Sequence, residues 1–175
     1  YAAYLRIDGF NLLPVMSIAM AASTFTGQNI GAGKLERVKK GMFTSAAMGI
    51  VYAVASGILL MLFAPQVIGV FTSDREVVEC GIYLMRFFCL FYWGIAILHI
   101  LAGTMRGAGK TKEAMFIFLI SLCLFRIIWI GVAMAVKHSV DLLMMVYPTS
   151  WFLGAALSIL YIWKGNWNSP VSGGT

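Results

Sequence analysis

Residues 41–64 read GMFTSAAMGIVYAVASGILLMLFA, and none of them is charged. A helix rises about 1.5 Å per residue, so a stretch of this length can cross the roughly 30 Å hydrocarbon core of a bilayer. Strands that cross membranes show segments of about ten residues with alternating polarity, and this stretch does not alternate. The stretch therefore predicts a transmembrane α-helix.

Four further stretches are also long and mainly apolar. The chain is 61% hydrophobic and 11% charged, whereas soluble domains are about 45–50% apolar and about 25% charged. We therefore predict an all-α fold, a polytopic transmembrane helix bundle, with residues 1–168 in the membrane domain and 169–175 as a flexible polar tail. The predicted spans, about five in number, cover residues 3–29, 41–64, 80–102, 114–136 and 142–163.

Basic residues lie mainly in short breaks between the predicted spans. They follow spans one, three and five: Lys34, Arg37, Lys39, Lys40, Arg106, Lys110, Lys112 and Lys164. The positive-inside rule places these breaks and the C-terminus in the cytoplasm and residue 1 outside. An odd number of spans that starts outside, without an initiator Met, favours a piece of a longer polypeptide. No basic stripe runs through a soluble segment, which argues against nucleic-acid binding.

The pattern GxxxGAGK occurs twice, at the inner ends of spans one and three. Its candidate helix-end residues are Gly27, Gln28, Gly31 and Gly33 in the first copy, and Gly103, Arg106, Gly107 and Gly109 in the second. Glycines end helices and allow tight turns, and small residues spaced by four let helices approach closely. A phosphate-binding loop would need glycine where Thr104 stands and a strand before it, so we do not favour a nucleotide site.

Span one carries Asp8 and Asn11 on one face, followed by Pro14. Proline removes a backbone hydrogen bond and predicts a kink at this point. A kinked helix with polar groups suits a moving element that lines a transport pathway. The alternative is that Asp8 lies near the outer interface and is simply hydrated.

Arg86, His99 and Arg126 are further ionisable residues inside predicted spans. Such groups usually face the bundle interior or a water-filled cavity, although Arg86 could extend to the outer interface. His99 could carry protons or could be a packed, neutral histidine. Tyr92 belongs to an aromatic cluster that could stack on flat organic cations or pack against other spans. The three cysteines lack metal-ligand spacing, so we predict no metal site.

Three stretches of the chain resemble the MATE family (multidrug and toxic compound extrusion). The stretch that begins Arg6-Ile-Asp-Gly-Phe-Asn-Leu-Leu-Pro14 and ends at Arg37 resembles the family's eighth helix and following loop. Residues 103–111 resemble the inner end of its tenth helix, and residues 147–151 with 164–167 the last helix of bacterial, Firmicutes-like members. The resemblance implies twelve helices in two lobes around a cleft, with this chain as helices eight to twelve.

The resemblance also implies a function. The expected protein is a secondary active antiporter of the plasma membrane, not an enzyme, that exports organic cations in exchange for H⁺ or Na⁺ by alternating access. Its partners would be small organic cations, membrane lipid and the N-terminal lobe of the same polypeptide, and it would use no cofactor beyond the coupling ion. Alone, the lobe encloses half a cavity and is expected to transport nothing.

The chain departs from the family at one point. Some members carry an aspartate in the tenth helix for cation coupling, but span three has no acid and has Arg86 and His99 instead. Coupling would then use Asp8 or acids of the other lobe. Two alternatives stay open: a flippase for lipid-linked sugars, which Arg6, Arg86 and Arg126 would suit, and a non-transporting membrane subunit.

Overall fold

The computed structural model describes residues 2–70, 75–136 and 140–164, with side chains for 6–70, 75–133 and 142–164. Within these residues the chain is helical apart from short connections. The helices are α1 (Ala2–Gly31), α2 (Leu35–Leu62), α3 (Ala64–Gly69), α4 (Arg75–Cys89), α5 (Tyr92–Gly107), α6 (Thr111–Phe118), α7 (Phe125–Val136), α8 (Val140–Met144) and α9 (Val146–Trp163). A π-helical segment, Leu119–Leu124, joins α6 to α7.

The all-helical membrane fold predicted from the sequence is confirmed. Four stretches are long and apolar enough to cross a bilayer: Arg6–Gly31, Leu35–Leu62, Thr111–Ala133 and Leu142–Trp163. Span three, predicted over residues 80–102, is a bent pair of helices, because α4 and α5 are inclined by 53° to each other. If α4 and α5 are counted together as one broken span, the described residues contain five candidate spans. The predicted tail, 169–175, lies outside the described residues.

The break in the third span is covered by protein. The N–H of Phe91 donates to the carbonyl of Phe88 at 2.9 Å, which makes a tighter turn than an α-helix. A Cβ on Gly57 of α2 would lie 3.1 Å from the carbonyl oxygen of Cys89, so the backbone of α2 closely covers the last carbonyl of α4. Non-helical backbone at membrane depth is tolerated where protein buries it. Cys89 and Tyr92, on the two sides of the break, are both buried.

The two GAGK sequences end their helices in the same way. Gly33 has φ of 70° and Gly109 has φ of 78°, a left-handed conformation that glycine adopts without steric cost. The N–H of Gly33 donates to the carbonyl of Ile30 at 2.9 Å, and the next N–H donates to Asn29 at 2.8 Å. The same two bonds recur at Gly109 and the residue after it. This pair of bonds is the Schellman motif, which follows the last turn of α1 at Gly33 and of α5 at Gly109.

Only the second copy of the repeat supplies a close helix contact through both spaced glycines. A Cβ on Gly103 would collide with the carbonyl of Ala19 on α1, and one on Gly107 would collide with the carbonyl of Ser23. In the first copy, a Cβ on Gly27 would lie 3.3 Å from the carbonyl of Gly107, while Gly31 has nothing within 4 Å. The prediction of close approach therefore holds for α5 against α1.

Helix α5 lies at the centre of the bundle and packs against α1, α2 and α9. Its residues 94–96, 98 and 100–105 are all buried. Large apolar side chains on the surrounding helices are exposed, among them Phe43 on α2 and Ile127 and Ile128 on α7. Such an arrangement suits a bundle whose outer surface contacts lipid tails.

The repeat provides a matched test of this packing. Gly107→Ala is expected to lower the free energy of unfolding by about 1–3 kcal/mol, because the added methyl pushes α1 away from α5. The equivalent change in the first copy, Gly31→Ala, should alter it by less than about 0.5 kcal/mol. Unfolding by SDS titration of detergent-solubilised protein measures both. Equal effects of the two substitutions would contradict the proposed contact.

Candidate substrate and ion pathway

The close contact of α1 with α5 forms one side of a groove that α6 completes. The groove has a volume of about 300 Å³ and is lined by Met16, Ala19, Met20, His99, Arg106 and Phe118. We call it the α1–α5–α6 groove. His99 lies four residues before Gly103 on α5, and Arg106 lies three residues after it, so one face of α5 both contacts α1 and carries these two side chains. Two residues that the sequence singled out separately are thus brought together.

The side chains of the groove differ in chemistry. Met16 and Met20 are exposed and offer flexible thioether surfaces. The half-buried ring of His99 packs edge-on against Phe118, with ring centroids 5.5 Å apart. Imidazole can bind or release a proton near neutral pH, whereas the guanidinium of Arg106 keeps its charge. The groove can therefore hold an apolar or aromatic body beside one group able to exchange protons.

Asp8 and Asn11 lie elsewhere on α1. The residues from Asp8 to Met16 span about 12 Å along the helix axis. Asn11 lines a second groove of about 450 Å³ between α1, α2 and α3. The Tyr52 hydroxyl lies 3.3 Å from both the backbone oxygen and the side-chain Oδ1 of Asn11. Asp8 is half-buried.

Pro14 lies between these two regions of α1. The helix continues through Pro14 without a break, from Ala2 to Gly31. Proline offers no N–H to the carbonyl of Phe10, one turn earlier, so the helix lacks a backbone bond there. The kink predicted from the sequence stays a prediction. Its position fits a hinge between the Asp8-bearing end of α1 and the groove at Met16.

Arg126 connects α7 to α9. Its Nε donates to the Oγ of Ser150 at 3.1 Å, and its guanidinium carbon lies 4.7 Å from the ring centroid of Tyr147. The Ser150 hydroxyl in turn donates to the Tyr147 carbonyl at 2.7 Å. Nearby, the indole N–H of Trp129 donates to the Leu142 carbonyl at 3.0 Å. Arg126 thus contacts polar and aromatic partners inside the bundle, as a costly charge in a span requires.

The aromatic cluster around the broken span is packed. Tyr92 is 2% exposed, and its ring centroid lies 6.5 Å from that of Trp151 on α9. Phe88 lies 5.4 Å from Tyr147 and 6.1 Å from Trp151. In this conformation the aromatic side chains therefore pack against another helix. A substrate role for Tyr92 stays a prediction. Arg86 is exposed on α4 and lies outside this packed core.

Sequence reasoning missed four side chains that line the α1–α5–α6 groove: Met16, Ala19, Met20 and Phe118. The spacing of the two methionines by four residues placed them on one face of span one. Nothing in the sequence showed that this face meets His99. Within the described residues, no group of three or more His, Cys, Asp or Glu side chains could hold a metal ion. The prediction of no metal site stays a prediction.

A helical membrane bundle with a broken span and polar groups beside grooves is typical of secondary transporters. The family model MatE matches residues 1–130. The chain therefore belongs to the MatE family, and the resemblance seen in the sequence is confirmed.

Several curated proteins are similar to the chain over most of its length. It is 30% identical to "Multidrug resistance protein PmpM" of Pseudomonas aeruginosa over 138 residues, which are 78% of this chain and 26% of PmpM. It is 28% identical to "Probable multidrug resistance protein NorM" of Thermotoga maritima over 118 residues, which are 67% of this chain and 25% of NorM. The chain thus spans about a quarter of the length of the curated relatives that it matches.

Two solved structures share the fold. A crystal structure of MATE in complex with MaL6 has a TM-score of 0.83 at 16% identity and covers 92% of this chain and 37% of that one. An inward-facing multidrug resistance MATE family transporter of the MOP superfamily also has a TM-score of 0.83 at 16% identity. The second match covers 97% of this chain and 40% of the transporter.

A double-mutant cycle tests the contact between Arg126 and Tyr147. Arg126→Gln and Tyr147→Leu are expected to show a coupling free energy of about 1 kcal/mol, because each change removes the same cation–π contact. Thermal unfolding in detergent measures the four proteins of the cycle. The control pairs Arg6→Gln, on exposed α1 surface, with Tyr147→Leu and should be additive. Additivity of the Arg126 pair would show that the contact does not stabilise the fold.

Proposed function

We propose that this chain forms a five-span lobe of a secondary active antiporter that exports organic cations across the plasma membrane in exchange for H⁺ or Na⁺. One observation carries the proposal: in a chain of the MatE family, the α1–α5–α6 groove places the titratable His99 beside a methionine and aromatic surface. Such a groove supplies both substrate contact and a site for proton exchange.

The substrate would bind at the end of the groove away from Arg106. Met16, Met20 and Phe118 offer apolar surfaces that adapt to different shapes, which suits a carrier of several compounds. Aromatic faces such as Phe118 attract organic cations, whereas the fixed charge of Arg106 repels them. The substrate's positive charge would therefore lie towards His99 and Phe118, and a protonated His99 would weaken its binding.

The coupling ion would act at Asp8 as well as at His99. Asp8 is the sole acidic residue in the five predicted spans. A charged carboxylate at membrane depth is costly, so binding of H⁺ or Na⁺ stabilises the conformation that buries Asp8 more deeply. Because Pro14 lies between Asp8 and Met16, a change at one end of α1 can alter the groove at the other. Rocking of this lobe against the other lobe of a complete transporter would provide alternating access.

The basic ends of the helices support a cytoplasmic C-terminus. Ile30, Val38, Ala108, Tyr161 and Ile162 pack in one cluster, so the end of α1, the start of α2 and the ends of α5 and α9 lie together. The helix ends and connections at this side carry most of the chain's Lys and Arg residues. We call it the basic side. The positive-inside rule favours the cytoplasm for it, and with it for the end of α9.

The test is reconstitution in liposomes of the polypeptide that carries these residues, at its full natural length. Ethidium efflux driven by an imposed H⁺ or Na⁺ gradient, and abolished when the gradient is collapsed, would support the proposal and identify the ion. Folded protein that moves no cation under either gradient would contradict it. Movement of a lipid-linked sugar under the same conditions would favour the flippase alternative instead.

Replacement of the span-one carboxylate tests its part in coupling. Asp8→Asn is expected to slow gradient-driven ethidium efflux by about tenfold or more, because an amide cannot exchange a proton or balance a cation. Equilibrium ethidium binding, measured beside efflux, separates a loss of coupling from a loss of substrate binding. The control Glu36→Gln, an exposed acid at the start of α2, should leave efflux unchanged. Normal coupled efflux by Asp8→Asn would exclude Asp8 from coupling.

A thiol-labelling experiment tests whether the groove is a hydrated pathway. Met20 lies in the groove and is 70% exposed, while Ile127 on the outer surface of α7 is 69% exposed. With the three native cysteines replaced by alanine, Met20→Cys should react about tenfold faster than Ile127→Cys with a charged methanethiosulfonate, because reactive thiolate forms only in contact with water. Bound ethidium should slow the first reaction. Equal rates for the two cysteines would indicate that the groove faces lipid.

A further inference from the structure

A third groove, far more apolar than the α1–α5–α6 groove, lies between α2, α5 and α9. Met42 and Phe43 of α2 form one wall, Ile159 and Trp163 of α9 form the other, and Ile97 and Leu101 of α5 form the floor. Its volume is about 390 Å³. Both walls pack against α5, which holds them on either side of the floor. We call it the α2–α9 groove.

The groove lies near the basic side of the bundle. Its walls come from the beginning of α2 and from the end of α9, which lie together at that side. Lys39 precedes Met42 by three residues and Phe43 by four, so it lies on the same stripe of α2 as the wall. Lys164 directly follows the wall residue Trp163. Both lysines are exposed, and each lies within one helical turn of a wall residue at the basic side.

We propose that the α2–α9 groove binds one acyl chain of an anionic phospholipid and that Lys39 and Lys164 hold its phosphate. The inference is independent of the proposed transport function. An acyl chain needs no hydrogen-bond partners and fits an apolar lining, whereas ligand sites for small polar molecules carry a few polar groups that fix orientation. Basic residues at the membrane surface attract anionic headgroups.

The charges and side chains around the two lysines suit an anionic phospholipid headgroup. Lys39 contacts Glu36 at 3.2 Å, but Glu36 is highly exposed, and exposed pairs of this kind are weak. A phosphate group can therefore replace Glu36 as the partner of Lys39. Arg37 and Lys40 lie on the same turn of α2, so the surface stays net positive. Trp163 is largely exposed at the end of α9, where an indole suits the headgroup level.

Native mass spectrometry of the full-length polypeptide in detergent tests the proposal, with palmitoyl-oleoyl phosphatidylglycerol and phosphatidylcholine as probes. Ile159 and Leu160 are adjacent and similarly exposed, at 52% and 49%, but only Ile159 lines the groove. Ile159→Trp should fill the groove and lower the retention of phosphatidylglycerol by about fivefold, whereas Leu160→Trp should leave it unchanged. Circular dichroism and size-exclusion chromatography establish that both variants fold.

Charge variants test the headgroup contact separately. The double change Lys39→Gln with Lys164→Gln is expected to remove the preference for phosphatidylglycerol over phosphatidylcholine. Lys112→Gln, an exposed lysine of α6 at the same side of the membrane, should keep that preference. Equal retention of the two lipids by the unaltered protein, or equal effects of the two tryptophan variants, would overturn the proposal. So would the same lipid preference in the double variant.

Discussion

The bundle depends on the backbone contact between α1 and α5. Gly103 and Gly107 lie directly against the carbonyl groups of Ala19 and Ser23, at distances that leave no room for a side-chain methyl. In a bilayer, lipid tails are as apolar as the side chains, so helices associate through close packing rather than through the hydrophobic effect. The contact fixes the central helix against α1, and the other helices pack around that helix.

The same contact accounts for the position of the candidate pathway. One face of α5 carries His99, one turn before Gly103, and Arg106, which lies between the two glycines, so close packing with α1 brings Met16 and Met20 beside them. Asp8 lies farther along α1, towards the broken third span, and Pro14 separates it from the groove. A single helix therefore connects a candidate ion site with a candidate substrate site. Alternating access needs such a connection, because an ion can bias a transport cycle only through differential binding to its states.

The broken third span shows how a membrane protein accommodates irregular backbone. The aromatic residues of this span pack against Tyr147, Trp151 and Phe152 of α9, while Gly57 of α2 lies close to the freed carbonyl of Cys89. The sequence in this region, with no Pro and with Gly only at 81 and 94, did not indicate a break. The contacts of Phe88 and Phe91 with α9 come from a distant part of the chain, so the sequence around the break does not show them.

The sequence by itself determined that the protein lies in a lipid bilayer and that it is helical. It also determined the approximate spans and the helix ends. Long uncharged stretches can satisfy their backbone in lipid only as helices, and Gly33 and Gly109 end helices through a local conformation that needs no distant partner. Residues of one span, such as Asp8 and Asn11, could also be placed on one face. Only the tertiary structure decided which faces meet: His99 with Met16 and Met20, Arg126 with Tyr147 and Ser150, and Tyr92 in the core. The reason is that helical periodicity fixes neighbours within a helix, whereas contacts between helices depend on close packing of backbones from distant parts of the chain.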